Sequence, residues 1–314
     1  YVKIDGVESF YPDVKDTVEL TPTPLSSGEH SLFVACYKEF STFEFKGLEL
    51  EQGAYTTAPA VSDTIIEYIG DSITAGYKLT HQTVADYSWL AAEKLGYEHT
   101  QIAVTGMSLC DTVDQNGNPV YGMESMFFKT YGNTTLSNWD FNQYQADMVV
   151  INIGTNDTVY NISDSTFQST YTTFLENIRI KYPSATILAL RTFNGYYADP
   201  TKAAVDARRS SGDNKVYYIN TNGWTNSTYF RSDDSLHPHE NGQLMISQTM
   251  APVIESYLSA DQTQNTNGSN LLSGKSYTFG TNPNGTYIDT SPVSKLTDGV
   301  ANNYASQSVQ WDFS

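Results

Sequence analysis

The residue types that acyl transfer requires lie in four short polar segments of this chain. Ser72 belongs to the first, at 70–73 (GDSI), which follows an apolar run at 65–69. A serine on a sharp turn from a buried strand into a helix can expose its hydroxyl beside backbone N–H groups. Nucleophilic catalysis uses this geometry, although GDS is also ordinary turn composition. Ser72 is therefore a candidate nucleophile, and we expect the neighbouring Asp71 to bond amides of the turn.

His237 is the candidate general base for Ser72. A serine hydroxyl is a weak nucleophile without a base, and an imidazole titrates near neutral pH. Asp234 precedes His237 by three residues, a spacing that lets a carboxylate in a tight turn reach Nδ1 and leave Nε2 free. His239 is a rival base, but the residue three positions before it is Leu236, so we prefer His237.

Three candidate donors can stabilise an oxyanion: the Ser72 N–H, the Gly106 N–H and the Asn156 side-chain amide. Gly106 follows a predicted strand at 99–104, and Asn156 follows one at 147–153. Taken singly, Gly106 can be an ordinary turn glycine and Asn156 a helix cap. Their occurrence together with the Ser72 and His237 segments favours the catalytic interpretation.

Two aromatic residues, Tyr77 and Trp224, are candidate substrate-contacting rings, with packing in the core or at the rim as the alternative. His30, His81 and His99 have no metal-ligand spacing with one another or with a carboxylate cluster, so we expect no metal. The GDS segment also lacks the glycine spacing of a phosphate-binding or dinucleotide-binding loop, and we expect no cofactor.

The elements that must position these residues form an alternating pattern of strands and helices. Such a pattern predicts an α/β fold with a five-stranded parallel sheet covered by helices on both faces. The carboxyl ends of parallel strands meet at one edge, where the four polar segments would line a single crevice. Strands are predicted at 64–69, 99–104, 147–153, 185–190 and 215–219, and helices at about 84–95, 163–181, from near 200, and 240–258.

The rest of the chain predicts further units. Residues 1–60 are expected to form an antiparallel, jelly-roll-like β unit that is short for an independent sandwich, followed by a catalytic domain at 61–259. A polar linker is predicted at 260–270, and 271–314 predicts either the beginning of a β-sandwich module or a disordered tail. Within the first unit, strands are predicted at 2–4, 17–20, 30–37 and 42–50.

Composition excludes several classes of function. The formal net charge of the 314 residues is −18, which disfavours nucleic acid and anionic membrane surfaces as partners. The chain contains no run of 18 apolar residues, so no membrane span is predicted. The two cysteines, Cys36 and Cys110, exclude a disulfide scaffold.

With 23 tyrosines and 17% charged residues, the composition is typical of extracellular proteins, and the start at Tyr1 suggests a processed or trimmed product.

The four segments resemble the four blocks of the SGNH/GDSL hydrolases: GDSI at 70–73, Gly106, GTND at 154–157 and DSLH at 234–237. The resemblance covers about 62–259. It implies a flavodoxin-like three-layer αβα fold, with the first serine as nucleophile and the Asp-x-x-His pair completing the triad. The serine N–H, the second-block glycine and the third-block asparagine would form the oxyanion hole.

The layout is also similar to the family-two carbohydrate esterases, which join a β jelly-roll to an SGNH domain and remove acetyl groups from plant polysaccharides. The likeness lies in segments 30–37 and 42–51, which lead through a loop into 66–77. Segments 270–275 and 295–299 resemble the opening of discoidin-like, galactose-binding modules.

These observations predict a secreted serine esterase that removes O-acetyl groups from an acetylated polysaccharide or oligosaccharide, with no metal or other cofactor. Ser72, His237 and Asp234 would be its catalytic residues. Two alternatives stay open: a lipase, thioesterase or lysophospholipase on the same fold, and a carbohydrate-binding protein without turnover.

Overall fold

The structure, a computed structural model, describes most of the chain up to the end of its last helix. The described residues are 1–12, 14, 16–41, 44–130 and 137–262. The module expected at 271–314, and with it the discoidin-like resemblance, lies outside them.

A five-stranded parallel sheet forms the centre of the fold, with its strands in the spatial order 216–219, 186–190, 148–152, 65–70 and 98–103. Its strands carry runs of Ile, Val, Leu and Ala that are buried on both faces, as expected for a parallel sheet between helical layers. The α/β fold class predicted from the sequence is confirmed. The strands are β4 (Ile65–Gly70), β5 (Glu98–Ala103), β8 (Met148–Asn152), β9 (Thr186–Leu190) and β10 (Val216–Ile219).

Four long helices cover the sheet, and local signals set their ends. Asp86 caps the first by accepting the N–H groups of Ser88 and Trp89, and Gly96 ends it with φ +67°, in the left-handed region that glycine tolerates. The last helix extends past the predicted start of the linker. The helices are α1 (Tyr87–Leu95), α3 (Asp164–Lys181), α4 (Ala198–Ser210) and α5 (Glu240–Gln262).

Each face of the sheet packs its own apolar layer. One layer joins α1 and α5 to side chains of β4 and β8 such as Ile66 and Val150. The other joins α3 and α4 to the opposite side chains of the same strands, such as Ile69 and Ile151. The result is a three-layer αβα arrangement in which the sheet itself is almost wholly buried.

Strand order places a crevice at the carboxyl ends of β4 and β8. The chain leaves β4 toward β5 on one side of the sheet and leaves β8 toward β9 on the other. In open α/β sheets, ligands bind where the connections diverge in this way. Ser72 follows β4 and Asn156 follows β8, so both lie at this point.

The N-terminal sheet has three strands in the described residues, where four were predicted. It is antiparallel and has the order β2-β1-β3, with β1 at Val2–Ile4, β2 at Val7–Ser9 and β3 at Leu32–Val34. The strand predicted at 17–20 is wrong, and the described part of 42–50 also contains no strand. Alternating apolar residues make a strand only where a neighbouring segment accepts their backbone hydrogen bonds, and residues 44–50 are exposed instead.

A short hairpin and a short helix between β5 and β8 were not predicted. Both are brief, and neither has a periodic apolar pattern long enough to detect from sequence. The hairpin consists of β6 (Thr112–Val113) and β7 (Pro119–Val120), and the helix is α2 (Met123–Met126).

Candidate active site

Ser72 lies on a tight turn immediately after β4. The turn is closed by hydrogen bonds from the Ala75 N–H to the Asp71 carbonyl and from the Tyr77 N–H to the Ser72 carbonyl. Gly70 is required before it, because a Cβ there would lie 2.0 Å from Thr74 Oγ1. The turn therefore depends on close backbone approach, and the Ser72 side chain is presented at the crevice.

Ser72, His237 and Asp234 form one hydrogen-bonded chain. His237 Nε2 lies 2.8 Å from Ser72 Oγ, and His237 Nδ1 lies 2.9 Å from Asp234 Oδ2. Because an ionised carboxylate only accepts hydrogen bonds, the Nδ1 proton faces Asp234 and Nε2 is left to accept the Ser72 hydroxyl. Ser72 is 4% exposed and His237 is 8% exposed, so the pair is shielded yet reaches the surface.

Asp234 is held in place by its own turn and by a lysine. Its Oδ1 accepts the N–H groups of Leu236 and His237, both at 3.0 Å. Its Oδ2 lies 2.7 Å from Lys78 Nζ. Partial burial alone would raise the pKa of Asp234, but the hydrogen bonds from Lys78 and from the His237 N–H outweigh it and hold that pKa far below its usual range. Asp234 is therefore ionised whenever His237 needs an acceptor.

His239, the rival base, faces elsewhere. Its Nε2 lies 2.8 Å from the Thr228 carbonyl oxygen, and its N–H donates to the Tyr229 carbonyl. The preference for His237 over His239, made from the position of the carboxylate, agrees with this geometry.

Gly106 occupies a β-turn at the end of β5. The Met107 N–H donates to the Val104 carbonyl at 3.1 Å, which makes Thr105 and Gly106 the two central residues. Gly106 has φ +84°, the left-handed value that the second central residue of a type II turn requires. It is exposed, and no heavy atom lies within 4 Å of the position of an added Cβ, so the Cβ side of this turn is open.

Asn156 lies beside the Gly106 turn. Its Nδ2 donates to the Met107 carbonyl at 2.9 Å. A side-chain amide has two N–H groups, so this bond orients the amide and leaves a second N–H for another acceptor. Asn156 is partly buried in a short 3₁₀ turn that follows β8.

Asp157 has a structural function that the sequence interpretation did not assign. Its carboxylate accepts the Leu109 N–H at 2.8 Å and the Cys110 N–H at 3.0 Å. Burial raises the pKa of Asp157, and these two N–H groups oppose the rise. Asp157 thus ties the loop after Gly106 to the segment that bears Asn156.

Gln243 was also missed. Its Nε2 donates to the Ile73 carbonyl and its Oε1 accepts the Tyr87 N–H, both at 3.0 Å. The first bond fastens α5, the helix that follows His237, to the turn that bears Ser72, and the second fastens it to the start of α1. The sequence contains no signal for this contact, because a glutamine inside an amphipathic helix has no distinguishing spacing.

Asp71 has the supporting function expected of it. Its Oδ1 accepts the Ile73 N–H at 3.0 Å, directly beside the nucleophile turn. Asp71 is fully buried, and burial raises its pKa to about 6, against hydrogen bonds from Ile73 and Thr155 that lower it.

The two predicted aromatic rings differ in their surroundings. The Tyr77 ring packs edge-on against the His237 imidazole, with ring centroids 5.0 Å apart. Trp224 is partly buried against the apolar layer under α5. Among the described residues, Tyr77 makes an aromatic contact with His237 and Trp224 makes none.

Two other kinds of feature, a metal-binding cluster and a membrane-spanning helix, are absent from the described residues. In the described parts of the chain, no three or more His, Cys, Asp or Glu side chains are arranged to hold a metal ion. Within the same ranges, no helix combines the length and apolar character needed to cross a membrane.

Comparison with known proteins places the chain in a family. The model of the GDSL-like Lipase/Acylhydrolase family matches residues 68–244, more than half of the chain. This span includes all four polar segments, and the resemblance to SGNH/GDSL hydrolases stated from them is confirmed.

Two relatives are similar in sequence. The chain is 29% identical over 263 residues to the cellulase/esterase CelE of Acetivibrio thermocellus, covering 76% of this chain and 31% of that protein. It is 26% identical over 259 residues to an acetylxylan esterase/glucomannan deacetylase of Cellvibrio japonicus, covering 76% of this chain and 70% of that protein. The chain therefore spans less than a third of the length of CelE.

Two solved structures share the fold. One is a family two carbohydrate esterase from Clostridium thermocellum in complex with cellohexaose, at 24% identity and a TM-score of 0.56, covering 65% of this chain and 67% of that one. The other is a carbohydrate esterase family 2 enzyme with a carbohydrate-binding domain from Corynascus thermopiles (Myceliophthora fergusii). It shows 20% identity and a TM-score of 0.61, covering 82% of this chain and 86% of that one.

Proposed function

Because the chain belongs to the GDSL-like Lipase/Acylhydrolase family, we propose that it is a serine esterase that removes O-acetyl groups from a polysaccharide or oligosaccharide. The family and the two named relatives support a carboxylic ester hydrolase. The observation that carries the proposal is the chain of hydrogen bonds from Ser72 through His237 to Asp234, at 2.8 and 2.9 Å.

In the first half of the reaction, Ser72 Oγ attacks the acetyl carbonyl carbon while His237 Nε2 accepts the hydroxyl proton. Asp234 holds the imidazole in the required tautomer and stabilises the imidazolium that forms. Collapse of the tetrahedral intermediate breaks the bond to the sugar oxygen, which leaves as an alcohol with the proton from His237.

In the second half, water replaces the sugar. His237 accepts a proton from the water as its oxygen attacks the acetyl carbon, and Ser72 leaves with that proton as acetate is released. Both halves pass through an oxyanion, whose donors would be the N–H groups of Ser72 and Gly106 and the amide of Asn156. The open position of Gly106 and the amide orientation of Asn156 support these assignments.

An acetylated carbohydrate is the substrate class that the relatives favour. One of them is named an acetylxylan esterase/glucomannan deacetylase. Tyr77, beside the imidazole, would contact the acetyl group or the sugar ring. The tyrosine-rich composition, with few charged residues, supports action outside the cell.

The deciding experiment measures hydrolysis of p-nitrophenyl acetate and release of acetate from acetylated xylan, glucomannan and pectin. We expect Ser72→Ala and His237→Ala to abolish both activities. His239→Ala is the matched control, because His239 bonds the Thr228 carbonyl instead of the serine, and it should retain activity. Turnover by Ser72→Ala at the wild-type rate would overturn the proposal.

The same assay distinguishes the two other interpretations. A series of p-nitrophenyl esters from acetate to dodecanoate tests the lipase or thioesterase alternative, which requires a strong preference for chains of eight or more carbons. Binding of acetylated xylan without release of acetate would instead indicate a carbohydrate-binding protein.

A further inference from the structure

The carboxylate of Glu39 joins the N-terminal unit to the turn at 104–107, the oxyanion turn, which carries the candidate donor Gly106. Glu39 Oε1 accepts the Thr105 N–H and Oε2 accepts the Thr105 hydroxyl, both at 2.5 Å. Thr105 is the residue immediately before Gly106. Two bonds from one carboxylate to one residue fix the orientation of that residue as well as its position.

The backbone of Glu39 is held as well. Its N–H donates to Gln82 Oε1 at 2.9 Å. Gln82 packs on the segment that follows the nucleophile, since a Cβ on Gly76 would lie 2.4 Å from the Gln82 carbonyl oxygen. Glu39 therefore bridges the segment that follows Ser72 and the turn that carries Gly106.

The position of Thr105 in its turn makes this bridge important. Types I and II of a four-residue turn differ mainly by a rotation of about 150° of the peptide between the two central residues. In the turn 104–107, that peptide joins Thr105 to Gly106 and carries the Gly106 N–H. Glycine tolerates both orientations, so the glycine itself does not select the one in which its N–H faces the crevice. A partner that holds Thr105 can select that orientation of the peptide.

We propose that Glu39 is a positioning residue for the oxyanion turn, so that the N-terminal unit takes part in catalysis by fixing the direction of the Gly106 N–H. This inference rests on the proposed function, in which Gly106 is an oxyanion donor. Glu39 touches neither substrate nor the reacting atoms, and its effect passes through Thr105. It also explains why a β unit outside the three-layer fold contacts the catalytic domain at this turn.

The test compares kcat and KM for p-nitrophenyl acetate in Glu39→Ala and the wild type. Loss of one oxyanion donor costs about 10²–10³ in rate, so loss of its alignment should lower kcat by about 10-fold and leave KM within about two-fold. Glu39→Gln should recover most of kcat, because its amide oxygen can accept the Thr105 N–H and its NH₂ can donate to the hydroxyl.

Thr83→Ala is the matched control. Thr83 Oγ1 donates to the Cys36 carbonyl at 2.9 Å, so this variant removes another hydrogen bond between the N-terminal unit and the catalytic domain without touching the turn. Its kcat should equal that of the wild type. The inference is overturned if Glu39→Ala retains the wild-type kcat, or if Thr83→Ala loses as much as Glu39→Ala.

Two further measurements separate this inference from a failure to fold and from a failure of the proposed function. Thr105→Val keeps Glu39 and removes only the hydroxyl bond, and it should lower kcat by a few-fold with an unchanged unfolding temperature.

Amide hydrogen exchange at Thr105 reports the anchor, the hydrogen bond from the Thr105 N–H to Glu39, without any turnover. Faster exchange in Glu39→Ala supports the anchor, and unchanged exchange overturns it. An inactive wild type, or a fully active Ser72→Ala, would count against the proposed function instead.

Discussion

Lys78 Nζ lies 2.7 Å from Asp234 Oδ2, the same carboxylate oxygen that faces the imidazole of His237. Asp233 also bonds the ammonium, at 3.2 Å, and is in turn held by Arg231. Two cations and one further carboxylate therefore surround Asp234, the outer end of the Ser72–His237–Asp234 chain. The negative charge that would stabilise an imidazolium is shared with a lysine.

Removal of this lysine should change the pH dependence of the reaction. The hydrogen bond from Lys78 lowers the pKa of Asp234, so Lys78→Met should raise that pKa and let Asp234, which must be ionised to hold the imidazole, be protonated at a higher pH. The acidic limb of the kcat/KM profile is therefore expected to move to higher pH, by a fraction of a unit because the ammonium is exposed and screened.

The matched control is Lys202→Met, which removes an exposed lysine paired with Asp206 on α4 and changes the net charge equally. Its profile should coincide with that of the wild type. An acidic limb in Lys78→Met that stays in place, or that moves to lower pH, would contradict the proposed electrostatic effect.

Asn156 tests the oxyanion assignment directly. Asn156→Ala removes the side-chain donor and should lower kcat by about 10²–10³, with a much smaller change in KM, because the oxyanion exists only during reaction. Steady-state kinetics on p-nitrophenyl acetate measure both values, and thermal unfolding checks that the fold is retained. A variant with normal kcat would remove Asn156 from the oxyanion hole.

The fold and the main site residues were predictable for a specific physical reason. Ser72 and His237 are 165 residues apart, yet the first follows a strand and the second precedes a helix. A parallel sheet sends all such connections to one edge, so strand ends recognised from local patterns also give spatial neighbours. The Asp234–His237 pair needs only a three-residue turn.

Other contacts were not predictable because they depend on the paths of loops. Lys78 and Glu39 have no motif, and their partners lie 156 and 66 residues away. The strand predicted at 17–20 failed for a related reason. An alternating pattern shows that a segment can pair but does not name the strand that would pair with it.

Asp157 should prove important for stability. Asp157→Ala leaves the Leu109 and Cys110 N–H groups buried without their acceptor, at a cost of roughly 1–3 kcal/mol each. We expect the free energy of unfolding, measured with urea, to fall by at least about 2 kcal/mol. Asp157→Asn retains one carbonyl oxygen and should lose less. If the alanine variant unfolds at the wild-type urea concentration, these bonds contribute little.

The buried carboxyl group of Glu67 makes the stability of the fold depend on pH. It lies on β4, fully buried, where Oε2 accepts the hydroxyl groups of Tyr144 at 2.5 Å and Tyr182 at 3.0 Å. Burial raises the pKa of Glu67 to about 7, against these hydrogen bonds, which lower it. The buried Asp86 has its pKa raised to about 7 for the same principal reason.

The sign of the effect follows from proton binding. Between the ordinary value of about 4.5 and the folded-state value of about 7, the folded protein binds the Glu67 proton and the unfolded chain does not. Stability contributed by Glu67 is therefore fully present below pH 4.5 and is lost as pH rises through 7. His99, whose pKa burial lowers to about 4, has the opposite effect. Its contribution to stability is present above about pH 6.5 and is lost as pH falls through 4.

A comparison of variants isolates the contribution of Glu67 from those of the other buried groups. Glu67→Gln does not titrate, so its free energy of unfolding should fall less between pH 5 and pH 8 than that of the wild type, by on the order of 2 kcal/mol. Glu255→Gln, at an exposed position on α5, should retain the wild-type difference. Urea unfolding at the two pH values gives both quantities. Equal differences in the wild type and Glu67→Gln would mean that Glu67 is ionised in the folded core at pH 5, because the Tyr144 and Tyr182 hydroxyls then outweigh the effect of burial.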